Sequence, residues 1–227
     1  MPVIKGKLPS GFAEVIDGTP LDDTIFPLGG WDVVNGAAGV DTMVIAGNWA
    51  NFRISANIEL TYVDAISGAS GSNDTTTLNS VERVQFDDVS VALDVGTMQA
   101  SGQTALLLGA VLGQAALAAK LPLVGTVIHL FDQGFTLQQL SGAIMRLPIW
   151  DVLTGRTVYS NKDVATYLLT TVNGAAPDGA LLATAVSALD SEIGGAQGDF
   201  LSHLAESAAN QVQVDMVGLS ATGLRFL

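Results

Sequence analysis

Acidic side chains recur at intervals of nine residues in the N-terminal part of the chain. Three of them, Asp23, Asp32 and Asp41, share one register, and a large apolar residue follows each of them two positions later: Ile25, Val34 and Met43. Carboxylate oxygens are the hard ligands that Ca²⁺ prefers. These recurring carboxylates are therefore candidate ligands for Ca²⁺.

Glycines occupy the same nine-residue units, which run over 18–26, 27–35 and 36–44. Glycine tolerates a positive φ and lets backbone carbonyl groups approach an ion closely. Asp22 either assists in binding or is simply solvated. The residues predicted to form the metal site are Asp22, Asp23, Asp32, Asp41, Gly18, Gly30, Gly36 and Gly39.

This register resembles the glycine-rich nonapeptide of the RTX (repeats-in-toxin, hemolysin-type) calcium-binding proteins, in which two units form one turn of a parallel β-roll. The resemblance implies that Asp23 and Asp41 face one ion, and that Asp32 lies on the other edge with Glu14 as its partner in register. It implies one good site and one weak site rather than a long ladder of ions, because the pattern is broken at Leu21, Pro27, Ala37 and Ala50.

Two further segments extend the resemblance. Residues 73–88 are similar to the segment that caps such rolls in secreted bacterial proteins, where apolar side chains cover the open end. From about residue 103, the motifs Gly134-Phe-Thr-Leu-Gln-Gln-Leu and Tyr159-Ser-Asn-Lys-Asp-Val resemble a helical domain of unknown function that follows RTX-like repeats in proteobacterial proteins. The apolar tail, 214–227, fits equally an uncleaved export signal and a last strand that docks on the fold.

Composition excludes several classes of function. The formal net charge is −13, which disfavours a nucleic-acid partner, and the chain contains no Cys. No zinc-protease or serine-hydrolase motif surrounds its histidines and serines, so we expect no enzyme. Trp31, Trp49 and Trp150 either form a glycan-binding platform or pack in the core or at a subunit contact. Four other acids either hold another ion or only form turns: Asp64, Asp74, Asp87 and Asp88.

The predicted fold class is α+β, all-β and then all-α. A parallel β-roll with capping strands occupies 1–98, and a helical bundle with an apolar tail occupies 99–227. The apolar run 105–119 is shorter than a bilayer span, so it predicts a helix buried centrally or against another subunit. No cleavable signal peptide is visible at the N-terminus, which predicts export without one.

These features predict a secreted, extracellular calcium-binding structural protein. It folds on Ca²⁺ and self-assembles, as a homo-oligomer or polymer, into a surface layer, biofilm matrix or filament. The alternative is a calcium-dependent adhesin or a module that binds a cell-surface glycan.

Overall fold

The computed structural model describes residues 1–7, 12–28, 30–56, 60–65, 75–191 and 195–227. The chain divides into two compact units. The strand unit contains residues 1–95 together with 217–227, and the helical unit contains residues 96–216. Residues 217–227 of the C-terminal tail therefore belong to the strand unit, whereas the predicted helical domain, 99–227, includes them.

Short strands make up the regular structure of the strand unit. In chain order, the strands within the described ranges are β1 (Val3–Lys5), β2 (Val15–Asp17), β3 (Thr24–Phe26), β4 (Val33–Asn35), β5 (Thr42–Val44), β6 (Phe52–Ala56), β7 (Thr61–Ala65), β8 (Thr75–Asn79), β9 (Arg83–Gln85), β10 (Ser90–Ala92) and β11 (Leu224–Phe226). One sheet has the order β1-β3-β5-β9-β10-β11, and the other has the order β2-β4-β8-β7-β6.

Two of the parallel pairs follow the nine-residue repeat. In β3 and β5, Ile25 lies opposite Met43, and in β2 and β4, Ile16 lies opposite Val34. Each pair is two repeat units apart, and all four side chains are buried. The apolar position of the repeat thus forms the core of the strand unit.

The predicted fold class is wrong. The chain is α/β with mixed sheets rather than an all-β parallel β-roll followed by a helical bundle. Antiparallel pairs β6–β7, β7–β8, β9–β10 and β10–β11 share the two sheets with the parallel pairs. The repeat ends where Ala50 replaces the acid, and short connections such as 86–89 then permit only antiparallel pairing, since a parallel partner requires a long crossover. The last strand, β11, also comes after the helices.

The helices of the described chain are α1 (Ala100–Leu112), α2 (Gln114–Ala119), α3 (Leu121–Asp132), α4 (Leu137–Met145), α5 (Trp150–Thr154), α6 (Asn161–Asn173), α7 (Gly179–Leu189), α8 (Ala196–Glu206), α9 (Ala208–Gln213) and α10 (Met216–Thr222). The apolar run 105–119 is interrupted at Gly113, whose φ is 80°. Ten of the 13 residues of α1 are buried, so this helix is the core of the helical unit.

Capping explains where two of the helices begin. Thr136 and Ser160 each accept a hydrogen bond from the third residue of the helix that follows, and that residue returns one to the cap. These capping boxes satisfy amide groups that would otherwise lack partners. None of the helices in the described ranges combines the length and the apolar character needed to cross a membrane.

Candidate functional site

Within the described residues, acidic residues stand directly before five of the strands that take part in parallel pairing, and a sixth, Asp74 before β8, lies outside these residues. Asp23, Asp41 and Glu82 precede β3, β5 and β9, which are neighbours in one sheet. Glu14 and Asp32 precede β2 and β4, which are neighbours in the other sheet. We refer to the first set as the long column and to the second set as the short column.

Hydrogen bonds link the carboxylates of the long column to the backbone of the preceding turn. The amide of Asp41 donates to Glu82 Oε2 at 2.9 Å, and the amide of Asp23 donates to Asp41 Oδ1 at 2.8 Å. Both oxygens of Asp23 accept from Thr19, whose amide lies 2.5 Å and whose hydroxyl lies 3.2 Å away. The column is therefore a ladder of carboxylate–amide bonds.

The short column repeats this arrangement on the other edge. The amide of Glu14 donates to Asp32 Oδ1 at 3.1 Å, and the amide of Lys7 donates to Glu14 Oε1 at 2.8 Å. The resemblance implied that Glu14 is the partner of Asp32 in register. In the structure the backbone amide of Glu14 contacts the carboxylate of Asp32.

Burial sets the electrostatics of the long column. Asp23 and Asp41 are both 0 % exposed. Burial raises the pKa of Asp41, and the nearby charges of Asp23 and Asp22 raise it further, while the hydrogen bond from the Asp23 amide opposes them. Burial also raises the pKa of Glu82, with smaller contributions in the same direction from Asp41 and Asp94. The column thus holds negative charge that water does not solvate fully.

One oxygen of the long column is left over. Asp41 Oδ2 is buried without a hydrogen-bond partner. A Cβ atom added to Gly36 would stand 2.5 Å from this oxygen and would overlap the carbonyl oxygen of Ser80. Because position 36 is glycine, a carboxylate oxygen and a carbonyl oxygen both lie close to its Cα atom. Both are ligands of the kind that Ca²⁺ takes.

Side chains alone do not complete this site. Within the described ranges, no group of three or more His, Asp or Glu side chains is placed to hold a metal ion. Ca²⁺ takes 6–8 oxygen ligands, and backbone carbonyls and water commonly supply several of them. The Asp41 and Ser80 oxygens would therefore be two members of a shell that is otherwise made of main-chain and water oxygens.

The four predicted glycines are required for two different reasons. Gly30 and Gly39 have φ angles of 125° and 122°, in the region that favours glycine. Gly18 and Gly36 lie so close to the next turn that a Cβ would overlap the carbonyl oxygens of Gly36 and Ser80, respectively. The first reason comes from backbone conformation and the second from tight stacking of the turns.

The second position of the repeat is strained. Leu28 and Ala37 have φ angles of 68° and 82°, although neither is glycine. A left-handed conformation costs an L-residue about 1–2 kcal/mol. Ala37, where the sequence departs from the glycine of the repeat, therefore has a strained backbone conformation.

The remaining candidate acids bind loop amides. Asp22 Oδ1 accepts from the amide of Val40 at 2.8 Å, and Asp22 is exposed. Asp87 and Asp88 accept from the amides of Gly47 and Trp49, each at 2.8 Å. Asp64 lies in β7 opposite Arg53 and Thr75. Asp74 lies outside the described residues.

The three tryptophans have different environments. Trp150 is 2 % exposed and donates from its indole nitrogen to the carbonyl oxygen of Met145 at 3.2 Å. The guanidinium group of Arg225 lies 4.7 Å above the ring of Trp49. Trp31 is 57 % exposed. Trp150 is thus a core residue and is not available to a glycan-binding platform.

Comparison with known proteins gives no family. No family model matches the chain. No curated protein matches it either. The resemblance to calcium-binding repeats therefore stays a prediction, and the site has to be judged on its own geometry.

Glu82 is the site residue that sequence reasoning missed. The motif Val81-Glu82-Arg83 was assigned to a capping segment, and the nine-residue register does not reach it. The signal was nevertheless present, because Glu82 directly precedes β9 as Asp23 precedes β3 and Asp41 precedes β5. An acid immediately before a short strand that pairs in parallel, rather than an acid at a fixed spacing, defines the column.

Proposed function

We propose that this chain binds Ca²⁺ through Asp41 and the Ser80 carbonyl, and that it serves as an extracellular structural protein whose strand unit is stabilised by the ion. The observation that supports this proposal is the buried oxygen Oδ2 of Asp41, which has no hydrogen-bond partner and lies, like the carbonyl oxygen of Ser80, close to Gly36. A buried acceptor without a partner costs about 1–3 kcal/mol, and a bound cation would remove that cost.

The charge of the strand unit favours the same ligand. Residues 1–95 and 217–227 contain thirteen acidic and five basic residues. Several of these acids are stacked in the two columns, where burial limits their solvation. A divalent cation would offset their repulsion.

Calcium binding to the folded state alone would stabilise the strand unit. An ion that binds only the folded state stabilises it by RT ln(1 + [Ca²⁺]/Kd). Extracellular calcium modules have Kd values of about 10⁻⁴–10⁻³ M. A site in this range would be empty at cytosolic calcium levels and filled outside the cell, so the strand unit would become rigid after export.

The chemistry of the site supports a structural role. An ion held by Asp41 and Ser80 would connect the turn 36–41 to the turn 80–82, which are distant in sequence. Self-assembly stays a prediction and is not part of this proposal. One of the two features that favour it is the low charge of residues 103–227, and the other is the apolar helix α1, which is buried within the helical unit. Electron microscopy with and without Ca²⁺ tests self-assembly directly.

Calorimetric titration of the EDTA-treated full chain with CaCl₂ tests the proposal. We expect saturable binding with a Kd of about 10⁻⁴–10⁻³ M, and loss of binding in Asp41→Asn. Asp87→Asn is the matched control, because Asp87 also accepts a loop amide but lies outside the columns, and its Kd should not change. No binding heat and no calcium-dependent melting at 10 mM CaCl₂ would refute the proposal.

A further inference from the structure

A buried ion pair lies next to the long column. Arg83 Nη1 contacts Asp94 Oδ1, and the side chains of the two residues are only 6 % and 8 % exposed. Removing two charges from water is costly, and a buried pair is often no more stabilising than apolar residues of the same size. Net stability alone is therefore a poor explanation for this pair.

The same arginine holds the backbone of Glu82. Arg83 Nη1 donates to the carbonyl oxygen of Glu82 at 2.9 Å, and the amide of Leu93 donates to that oxygen at 2.8 Å. The side chain of Glu82 in turn accepts the amide of Asp41. Glu82 is thus held at its carbonyl oxygen by Arg83 and at its carboxylate by Asp41. Asp41 is also the residue whose oxygen Oδ2 has no hydrogen-bond partner.

The other end of this linkage is the C-terminal strand. Asp94 follows β10, and β10 pairs with β9 on one side and with β11 on the other. Gly223 has a φ of 76° and packs closely against β10. A Cβ atom at this position would overlap the side chain of Val91 and would stand 2.8 Å from the carbonyl oxygen of Ala92. Leu224 is 2 % exposed. The tail therefore fixes β10, from which the Leu93 amide and the Asp94 carboxylate reach the column.

We propose that Arg83 and Asp94 are positioning residues for the calcium site, and that they couple ion binding to docking of the C-terminal strand, so that each stabilises the other. This inference rests on the proposed function. Coupling between two binding events is reciprocal, so a change in the tail must alter calcium affinity, and calcium must alter the stability of the tail.

The test compares the full chain with three variants by calorimetric calcium titration. Arg83→Met/Asp94→Leu replaces the pair by apolar side chains, and Gly223→Ala disturbs the seat of the tail. Both should raise the calcium Kd by about 10-fold or more, the usual effect of removing groups that orient metal ligands. Val217→Ser is the matched control, because Val217 lies in the same segment but is 85 % exposed, and its Kd should equal that of the unaltered chain.

Hydrogen exchange at residues 224–226 supplies the reciprocal measurement. Calcium should slow exchange of these amides in the unaltered chain, and it should have no such effect in Arg83→Met/Asp94→Leu. A purely structural pair would change the melting temperature in EDTA and leave the Kd unchanged, which overturns this inference but not the proposed function. If the double variant does not fold, Gly223→Ala decides by the same criterion. If the unaltered chain binds no calcium, both proposals fall.

Discussion

Replacing Asp41 with asparagine separates a calcium ligand from a purely structural carboxylate, because the two roles predict effects of different sign. Asparagine keeps an oxygen for the amide of Asp23, 2.8 Å away. Its NH₂ group takes the place of Oδ2, and we expect it to donate to the carbonyl oxygen of Ser80, which also lies close to Gly36. In EDTA the variant loses a buried charge and gains a hydrogen bond, so we expect it to be more stable by about 1 kcal/mol.

In calcium we expect the unaltered protein to be more stable than Asp41→Asn. At a calcium concentration of about 100 times Kd, the unaltered protein gains roughly 2.7 kcal/mol, while the variant has lost a charged ligand and gains much less. For a domain of 60–100 residues, 1 kcal/mol shifts the melting temperature by about 4–8 °C. The strand unit of the unaltered protein should therefore melt about 10–20 °C higher in saturating Ca²⁺ than in EDTA.

Differential scanning calorimetry of the full chain in EDTA and in CaCl₂ at about 100 times the titrated Kd measures both arms. The helical unit, 96–216, contains no residue of either column and is the internal control. Equal destabilisation of Asp41→Asn in both buffers would show that the carboxylate acts only through the amide of Asp23. A melting temperature of the unaltered protein that does not respond to Ca²⁺ would refute the reasoning entirely.

Three further outcomes are expected. Ala37→Gly should stabilise the strand unit by about 1 kcal/mol in urea unfolding by removing a left-handed strain, whereas Ala38→Gly, where φ is not positive, should destabilise it by about 0.5–1 kcal/mol. Gly198→Ala should lower the free energy of unfolding by about 1–3 kcal/mol in the same assay, because the new Cβ would stand 2.9 Å from the backbone of α4. A Cβ at Gly179 meets nothing within 4 Å, so Gly179→Ala should be neutral or stabilising. The raised pKa of Glu82 means that the folded state binds its proton more tightly, so stability in EDTA should fall as pH rises through that pKa, and a rise instead would contradict this assignment.

Two of the parallel strand pairs, β3–β5 and β2–β4, were predictable, because they follow a single sequence period. Ile25 opposite Met43 and Ile16 opposite Val34 are what two nine-residue units per turn require. The antiparallel strands were not predictable from that period. They begin after the repeat has ended, and their pairing depends on connection lengths and on a tail, 217–227, that lies more than a hundred residues away from its partner β10.

The columns were predictable only in part for the same reason. A fixed spacing finds Asp23, Asp32 and Asp41, but β9 reaches the column after a segment that breaks the spacing. The turn before β5 has six residues, 36–41, and the turn before β9 has only three, 80–82, with Ser80 at a φ of 50°. Glu82 therefore joins the column through sheet pairing, which a periodic pattern does not encode.

The hydrogen bonds also decide which gap in the long column an ion can occupy. The resemblance implied an ion between Asp23 and Asp41, yet both oxygens of Asp23 already accept from Thr19. Asn at position 23 can keep its oxygen on the Thr19 amide and donate its NH₂ group to the Thr19 hydroxyl, which accepts as well as donates. Asp23→Asn should therefore change the stability of the strand unit by about 1 kcal/mol or less, equally in EDTA and in CaCl₂. Asp41→Asn should lose calcium binding instead. If Asp23→Asn abolished binding while leaving stability in EDTA unchanged, the ion would belong between the turns 18–23 and 36–41, and the space beside Ser80 would be only a consequence of tight stacking.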